Sequence, residues 1–403
     1  MKNRRIVRRA AQRGIESGLE VMQESETYRA VRKNLRRLKW LAIGGGAVAV
    51  ASGVAAGAGV ALAGYAVAQR LRNPADLRGK VVLITGSSRG LGLALAREFA
   101  ALGSRLVLCA RDEQELQVAA ESLASQGATV LAIPCDLGNR QQVEQMVHQA
   151  TQRFGGIDLL INNAGIITVG PLESQTLEDY EQAMQVMFWG TVYPTLALLP
   201  QMIERRAGAV CNITSIGGKI SVPHLLPYCC AKFAAVGFSE GLRAELRRYG
   251  IKVTTVVPGL MRTGSHVNAY FKGNNQAEYS WFSLGATLPL VSMDATRAAR
   301  KIVRAVRAGR SEIILTPQAR MAATVHGIAP GLTTEALALV NRLLPSPSSH
   351  RQRHLGKESE TAVSRSFLTR LGEKAATELN QSPHQRTPLQ TRASGDLAAA
   401  EPA

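Results

Sequence analysis

Three side chains near the middle of the 403-residue chain have the types and spacing for acid–base chemistry. Ser215 supplies a hydroxyl, Tyr228 a phenol and Lys232 an amine, all within the stretch SIGGKISVPHLLPYCCAK. If PYCCAKFAAVGFSEGLRAEL forms a helix, the four-residue step from Tyr228 to Lys232 stacks the two on one face. An ammonium beside a phenol favours the phenolate and is expected to draw its pKa down from about 10 toward the working pH. A phenol tuned in this way can exchange a proton with a carbonyl or alcohol oxygen that Ser215 holds by a hydrogen bond. The Y-x-x-x-K spacing alone is common on exposed helices, so its weight rests on the elements around it.

Those elements alternate. KVVLIT (80–85) reads as a buried strand, followed by the loop GSSRGLG and the helical pattern LALAREFAALG. RLVLCA (105–110), ATVLAIP (128–134), GIDLLIN (156–162), GAVCNIT (208–214), IKVTTVVP (251–258) and SEIILTP (311–317) supply further strands. Helical segments near 139–154 and 176–199, and one opened by Tyr228, fall between them. Strands alternating with helices imply an α/β fold with a doubly wound parallel sheet and helices on both faces. In the first loop, Gly86 allows a tight turn, Gly90 lets the backbone approach a pyrophosphate, and Gly92 lets helix and strand pack closely. The N-terminus of the following helix then faces the phosphates. A dinucleotide site that takes NAD usually has an acidic residue at the end of the second strand. Here that end reads Ala110-Arg111, and Arg89 lies in the glycine loop. Two guanidiniums converging on this corner suit a 2′-phosphate, so NADP(H) is favoured over NAD(H), while Asp112 reads as the N-cap of the next helix.

The net charge of +18 is concentrated at the ends of the chain. Residues 1–40 carry 12 Lys/Arg against 4 Asp/Glu, residues 296–403 carry 16 against 8, and the middle is nearly neutral. A specific nucleic-acid reader is therefore not expected. Five cysteines (Cys109, Cys135, Cys211, Cys229, Cys230) show no metal-ligand spacing and read as free core thiols of a reducing compartment; no metal is expected. Trp40 to Ala68 holds 29 residues without a charge, about 43 Å as a helix, against about 30 Å of hydrocarbon. Trp40 and Tyr65 near its ends and flanking Arg/Lys favour membrane attachment, and Ala49, Gly53, Gly57 and Ala61 recur as in close-packed membrane helices. A soluble helix or hairpin used for self-association is the alternative. The excess of basic residues before the run would place the N-terminus in the cytoplasm and the rest outside. A nicotinamide enzyme with free thiols fits the cytoplasmic side better, and a hairpin or in-plane insertion reconciles the two. The expected division is a basic segment (1–39), a hydrophobic membrane-associated helix or hairpin (40–69), a nucleotide-binding domain (79–320), a helical extension (321–344) and a largely disordered basic tail (345–403). Within that tail a short amphipathic helix is expected near Phe367–Leu379.

Taken together, the motifs resemble the short-chain dehydrogenase/reductase family over residues 79 to about 317. TGSSRGLG (85–92) is similar to its T-G-x-x-x-G-x-G, Asn162-Asn163-Ala164-Gly165 to its N-N-A-G, and Ser215, Tyr228 and Lys232 to its serine and Y-x-x-x-K. Pro258-Gly259 with Thr263 resembles the loop that meets the nicotinamide, and Asp136 the aspartate at the adenine edge. The resemblance implies a Rossmann-type fold and hydride transfer at C4 of the nicotinamide, with Tyr228 as acid/base and Ser215 holding the substrate oxygen. Lys232 would bond the ribose and lower the Tyr228 pKa. It implies that Thr85, Gly86, Ser88, Arg89, Gly90, Leu91 and Gly92 line the cofactor on one side. Arg111, Asp136, Leu137, Asn163, Ala164, Gly165, Tyr228, Lys232, Pro258, Gly259 and Thr263 complete the set. Asn163 is equally well read as a tie between strands, His224 as a bystander, and Cys229 and Cys230 as helix packing. One position departs from the family: where V-N-x-x-G-T carries an Asn that helps hold a relay water, this chain has Met187. Between Thr263 and Asp294, Tyr270, Phe271, Tyr279, Trp281, Phe282 and Leu284 form either an apolar lid over a lipid- or steroid-like substrate or simple packing. The expected function is an NADP(H)-dependent oxidoreductase on a hydrophobic alcohol/carbonyl pair, with a homo-oligomer compatible. A non-catalytic, membrane-tethered NADP-binding scaffold or sensor is the alternative that Met187 raises.

Overall fold

A computed structural model describes residues 74–288, 291–361, 364 and 369–381. The basic segment 1–39 and the uncharged run 40–69 lie outside the described residues, as does 382–403. The main sheet has seven parallel strands: β1 (Val81–Thr85), β2 (Arg105–Ala110), β3 (Val130–Pro134), β4 (Leu159–Asn162), β6 (Ala209–Ile213), β7 (Lys252–Val257) and β11 (Glu312–Ile314). Their order is β11-β7-β6-β4-β1-β2-β3. The chain runs outward from β1 to β3 and then returns to the other side of β1 at β4. The crevice between the carboxyl ends of β1 and β4 is the reversal point where such sheets bind ligands.

The strand residues are apolar on both faces because both faces are covered. Val82 and Ile84 of β1 join one core cluster with Leu95 and Phe99 of α1 (Gly90–Ala101), Leu116 of α2 (Glu113–Ala124) and Ile302. Val81 and Leu83, pointing the other way, meet Val143 and Met146 of α3 (Arg140–Phe154) together with Leu198 and Met202. Each such buried side chain contributes about 1.5–3 kcal/mol. Helix starts follow local capping: the Asp112 carboxylate accepts from the Glu115 N–H, as expected, and Asn139 from Gln141 and Gln142. The helix expected near 176–199 is interrupted. It runs as α4 (Leu177–Ala183), a π-helical turn (Met184–Trp189) and α5 (Gly190–Glu204), with Pro194 and Pro200 inside the last. This run is long and apolar enough to cross a membrane, yet Leu198 and Met202 are wholly buried against the sheet. It is a core helix.

Beyond the sheet, α6 (Leu226–Leu246) carries Tyr228 and Lys232, and α7 (Asn275–Thr287) covers the segment after β7. β5 (Thr168–Val169), β9 (Tyr270–Phe271) and β12 (His354–Leu355) form a small sheet, and β8 (Met261–Arg262) pairs with β10 (Met293–Asp294). α8 is Ala295–Arg307, and the helical extension is realised as α9 (Pro317–Ile328) and α10 (Pro330–Asn341), whose Met321, Ile328, Leu332 and Leu339 stand exposed.

The polar composition after Pro345 underestimates residues 350–361 and 369–381. β12 pairs antiparallel with β9, Gly273 N–H donates to His350 O, and Gly356 N–H donates to Ala269 O. α11 (Arg370–Glu378) forms close to the expected place. Backbone pairing supplies what the sparse apolar content does not. The same wrap is fastened by a buried charge cluster. Asp179 accepts from Lys272 at 2.5 Å and from Arg353 at 2.6 Å, with Asp179 and Lys272 essentially inaccessible.

Candidate active site

Ser215, Tyr228 and Lys232 converge at the carboxyl end of β6. Ser215 follows that strand and caps a short 3-10 turn (Ile216–Gly218), its Oγ accepting from the Gly217 N–H at 3.0 Å. That bond leaves the hydroxyl proton free to donate, and Ser215 is near enough to the Tyr228 phenol to favour its ionised form. The glycine pair in SIGGK, which the motif reading passed over, makes the approach possible. A Cβ on Gly217 would lie 3.0 Å from Tyr228 Cε1, and one on Gly218 would lie 2.6 Å from the Lys232 carbonyl oxygen. Lys232 is buried, donates to Ile213 O at 2.9 Å, and sits 5.8 Å from the centroid of the Tyr228 ring.

The expectation that the amine lowers the phenol pKa does not hold in this arrangement. Burial pushes Tyr228 up to about 12, although the hydrogen bond from Ser215 pulls it down. Burial likewise pushes Lys232 down to about 8. Burial favours the neutral form of each group because a low-dielectric site disfavours charge; the phenol stays protonated at neutral pH, while Lys232 keeps its charge until about pH 8. A stability change follows. Below about pH 8 folded and unfolded chains both hold the Lys232 proton, and between about 8 and 10.5 only the unfolded chain does, so stability rises with pH across that window. Urea unfolding of wild type and Lys232→Met at about pH 7.5 and about pH 10 should show the wild type gaining about 2 kcal/mol more than the variant.

Met187 is buried beside this cluster with Ala183, Ala231 and the Tyr228 ring. Its sulfur and the Lys232 Nζ lie 3.6 and 3.8 Å from the Cβ position that Gly165 leaves open. Its carbonyl accepts from the Thr191 hydroxyl at 2.8 Å. An apolar side chain thus fills the space where the family pattern would place an amide.

The glycine loop is built as a cradle. Gly86 and Gly90 have φ of +61° and +59°, the left-handed region that a side chain disfavours. A Cβ on Gly92 would meet Gly86 O at 2.1 Å, and one on Gly86 would meet Ala164 Cα at 2.8 Å, so these two glycines let the loop, helix α1 and the end of β4 close together. Arg89 at the N-cap offers no capping side chain, so the helix start has no oxygen of its own to satisfy its N–H groups. Loop and helix end together fit a pyrophosphate.

Other expected contacts divide into ties and open positions. Thr85 is fully buried, and its hydroxyl accepts from the N–H groups of Asn163 and Ala164, which joins β1 to β4. The Asn163 amide donates to Thr85 O and Gly86 O, both at 3.0 Å, so its structural role is realised. Asp136 is exposed, with Oδ1 accepting from the Gly138 N–H, while neighbouring Leu137 is buried. Pro258 O accepts from the Ile216 N–H, which brings the Pro258-Gly259 loop to the Ser215 turn, and Thr263 is buried beyond it. At the corner where two guanidiniums were expected, Arg111 is exposed, but Arg89 is already paired with Glu115 at 3.1 Å. Ser88 also reaches Glu115, at 3.5 Å. Glu115 lies in the first turn of α2, and no motif in the sequence points to it.

The aromatic segment packs first and covers second. Phe271, Tyr279 and Phe282 are buried and meet edge to face, with ring centroids 5.2–5.9 Å apart, around Val169, Leu225 and Cys229. Trp281 and Tyr228 border this cluster and keep some exposure. His224 is more than a bystander in the fold. It adopts φ of +62°, and its Nδ1 lies 2.8 Å from the buried Glu278 of α7, which also accepts from Trp281 Nε1. The five thiols are free, and four are buried as expected; Cys230, one position round the helix from Cys229, faces solvent instead.

Three comparisons bear on this arrangement. The family described as short chain dehydrogenase matches residues 80–271. Dehydrogenase/reductase SDR family member 7B of Mus musculus is 34% identical over 279 residues, covering 68% of this chain and 85% of that protein. Among solved structures, a short chain dehydrogenase/reductase from Burkholderia phymatum in complex with NAD superposes with a TM-score of 0.59 at 26% identity, over 64% of this chain and 96% of that one. L-sorbose reductase from Gluconobacter frateurii, complexed with NADPH and L-sorbose, gives 0.54 at 27% identity over 60% and 97%.

Proposed function

Because this chain belongs to the short-chain dehydrogenase/reductase family, we propose that it reduces a hydrophobic ketone or aldehyde, or oxidises the matching alcohol, using NADP(H). The observation that carries this reading is the meeting of Ser215, Tyr228 and Lys232 beside the glycine cradle. Bound nicotinamide would supply the hydride or accept it at C4. Ser215 would donate to the substrate oxygen and hold it against the Tyr228 hydroxyl. The phenol is protonated at neutral pH, so it has the proton that carbonyl reduction requires. Lys232, close to deprotonation near pH 8, would pass a proton toward the phenol between turnovers. The residues proposed to line the cofactor are those of the glycine loop (Thr85 to Gly92), Asp136, Leu137, Asn163 to Gly165, and Pro258, Gly259 and Thr263. The aromatic cluster beside Tyr228 supports an apolar substrate.

NADP(H) preference rests on Arg89. We expect Arg89→Ala to weaken NADPH binding about tenfold or more while leaving NADH nearly unchanged, because a charge-assisted hydrogen bond contributes about 1.5–3 kcal/mol. Glu115→Gln should shift preference further toward NADPH, by releasing the guanidinium. Fluorescence titration with both nucleotides measures each, and equal losses for NADPH and NADH would refute the assignment. Membrane attachment through residues 40–68, with the catalytic domain on the cytoplasmic side, is proposed from the uncharged run. Exposed apolar side chains on α9 and α10 support it. Protease accessibility of the C-terminus in sealed vesicles tests the orientation.

The chain assayed with NADPH against a panel of hydrophobic ketones should show turnover. Met187 favours one other reading, a non-catalytic NADP-binding scaffold. NADPH binding without reduction, together with turnover gained by Met187→Asn, would establish that reading in place of the enzyme.

A further inference from the structure

One group that the glycine loop would offer a pyrophosphate, the Gly90 N–H, is already engaged by the chain's own C-terminal extension, which also fills the space beside it. Gly90 N–H donates to Leu379 O at 2.8 Å. The Asn380 amide donates to Ser88 O at 3.1 Å. The volume left by the missing Cβ of Gly90 is taken by the Gln381 carboxamide, whose nitrogen lies 2.6 Å from that position. Gln381 is itself held by Asn268, which donates to its backbone oxygen at 2.9 Å and its side-chain oxygen at 2.7 Å.

The match is electrostatic as well as spatial. Leu379 is the C-cap of α11, and the carbonyls at a helix end carry a partial negative charge. They point at the start of α1, where unsatisfied N–H groups carry the partial positive charge that attracts phosphate. The C-terminus of one helix stands in for the anion at the N-terminus of another. The segment is also built in: Ala376 and Leu379 are buried, Arg97 donates to Glu378 O at 3.1 Å, and Ala376 fills the space over Gly264. Upstream, Ser359 and Thr361 bond Asn275 and Ser280 of α7.

We propose that residues 379–381 are an intramolecular competitor for the dinucleotide, occupying the pyrophosphate position until the segment withdraws. The proposal rests on reading the glycine loop as the NADP(H) site. Nucleotide then binds only the fraction of molecules in which the segment is out, and the apparent Kd is raised by the reciprocal of that fraction.

Full-length protein, the double variant Asn380→Ala/Gln381→Ala, and a chain ended after residue 361 are titrated with NADPH and NADH by fluorescence, with circular dichroism checking the fold. The point variant keeps α11 and Leu379, so it remains informative if the shortened chain does not fold. We expect NADPH to bind the variants about tenfold more tightly than the full chain. Trypsin cleavage at Arg370 and Lys374 of the full chain should accelerate when NADPH is added. Unchanged binding by a folded Asn380→Ala/Gln381→Ala chain would overturn the proposal, and weaker binding, or protection of those sites by NADPH, would overturn it and mark the segment as a lid over bound nucleotide. Failure of every form to bind either nucleotide would overturn the cofactor reading along with it.

Discussion

Replacing Tyr228 with Phe is expected to lower kcat by about 10²–10⁴-fold while leaving nucleotide binding and the thermal midpoint close to wild type. The substitution removes one oxygen. The ring remains packed against Gly217 and Met187, so the backbone has no reason to move. What disappears is the proton that a substrate oxygen would receive. Steady-state kinetics with a reducible ketone, paired with an NADPH titration, separate this from unfolding. Loss of binding in proportion to activity would point to a structural role for the phenol. A fall of less than about tenfold would remove it from the chemistry.

Asp179→Ala is expected to cost about 3–5 kcal/mol, the largest single stability loss from a polar position. The Asp179 carboxylate is inaccessible and takes up Lys272, Arg353 and the N–H of Thr176. Burial works to raise its pKa, but the hydrogen bonds from Lys272, from the Thr176 backbone and from Arg353 outweigh that and hold it below the usual carboxylate range. Removing the carboxylate leaves the Lys272 ammonium buried with its counter-charge gone. It also unfastens α4 from the loop after β9 and from the C-terminal wrap. Scanning calorimetry should register a drop of roughly 10 °C. Replacing both partners, Asp179→Leu with Lys272→Met, should recover much of it, because no lone charge is then buried. A single-variant loss below about 1 kcal/mol would mean that the cluster contributes as little as a surface pair.

The central sheet was legible because its strands are short apolar runs separated by amphipathic helices, whereas its order around β1 comes from the structure. The glycine loop was legible because a phosphate cradle needs residues without side chains at fixed steps, and Gly86, Gly90 and Gly92 stand there. The meeting of Ser215 with Tyr228 followed from the motif, but the state of the phenol did not. Spacing shows which charges are near, whereas burial depends on everything folded over the site, and here burial decides the direction. The Arg89–Glu115 pair escaped notice for a related reason: the motif reports the arginine, and only the packing of α2 beside the loop reports the carboxylate. Asp179 meets Lys272 and Arg353 across 93 and 174 residues, beyond any local pattern. Residues 350–361 and 369–381 looked too polar to fold because they have few apolar side chains; they are held instead by pairing with β9 and by bonds to α7 and the glycine loop.

The account turns on direct hydride transfer between the nicotinamide and the substrate carbon, with Tyr228 supplying the proton, and isotope transfer tests that most directly. NADPH carrying deuterium at both C4 positions is mixed with the full chain and a hydrophobic ketone, and the alcohol is analysed by mass spectrometry. The predicted result is one deuterium on the carbinol carbon with wild type, and labelled alcohol formed far more slowly with Tyr228→Phe. Alcohol without deuterium at that carbon, or undiminished transfer by Tyr228→Phe, would contradict it.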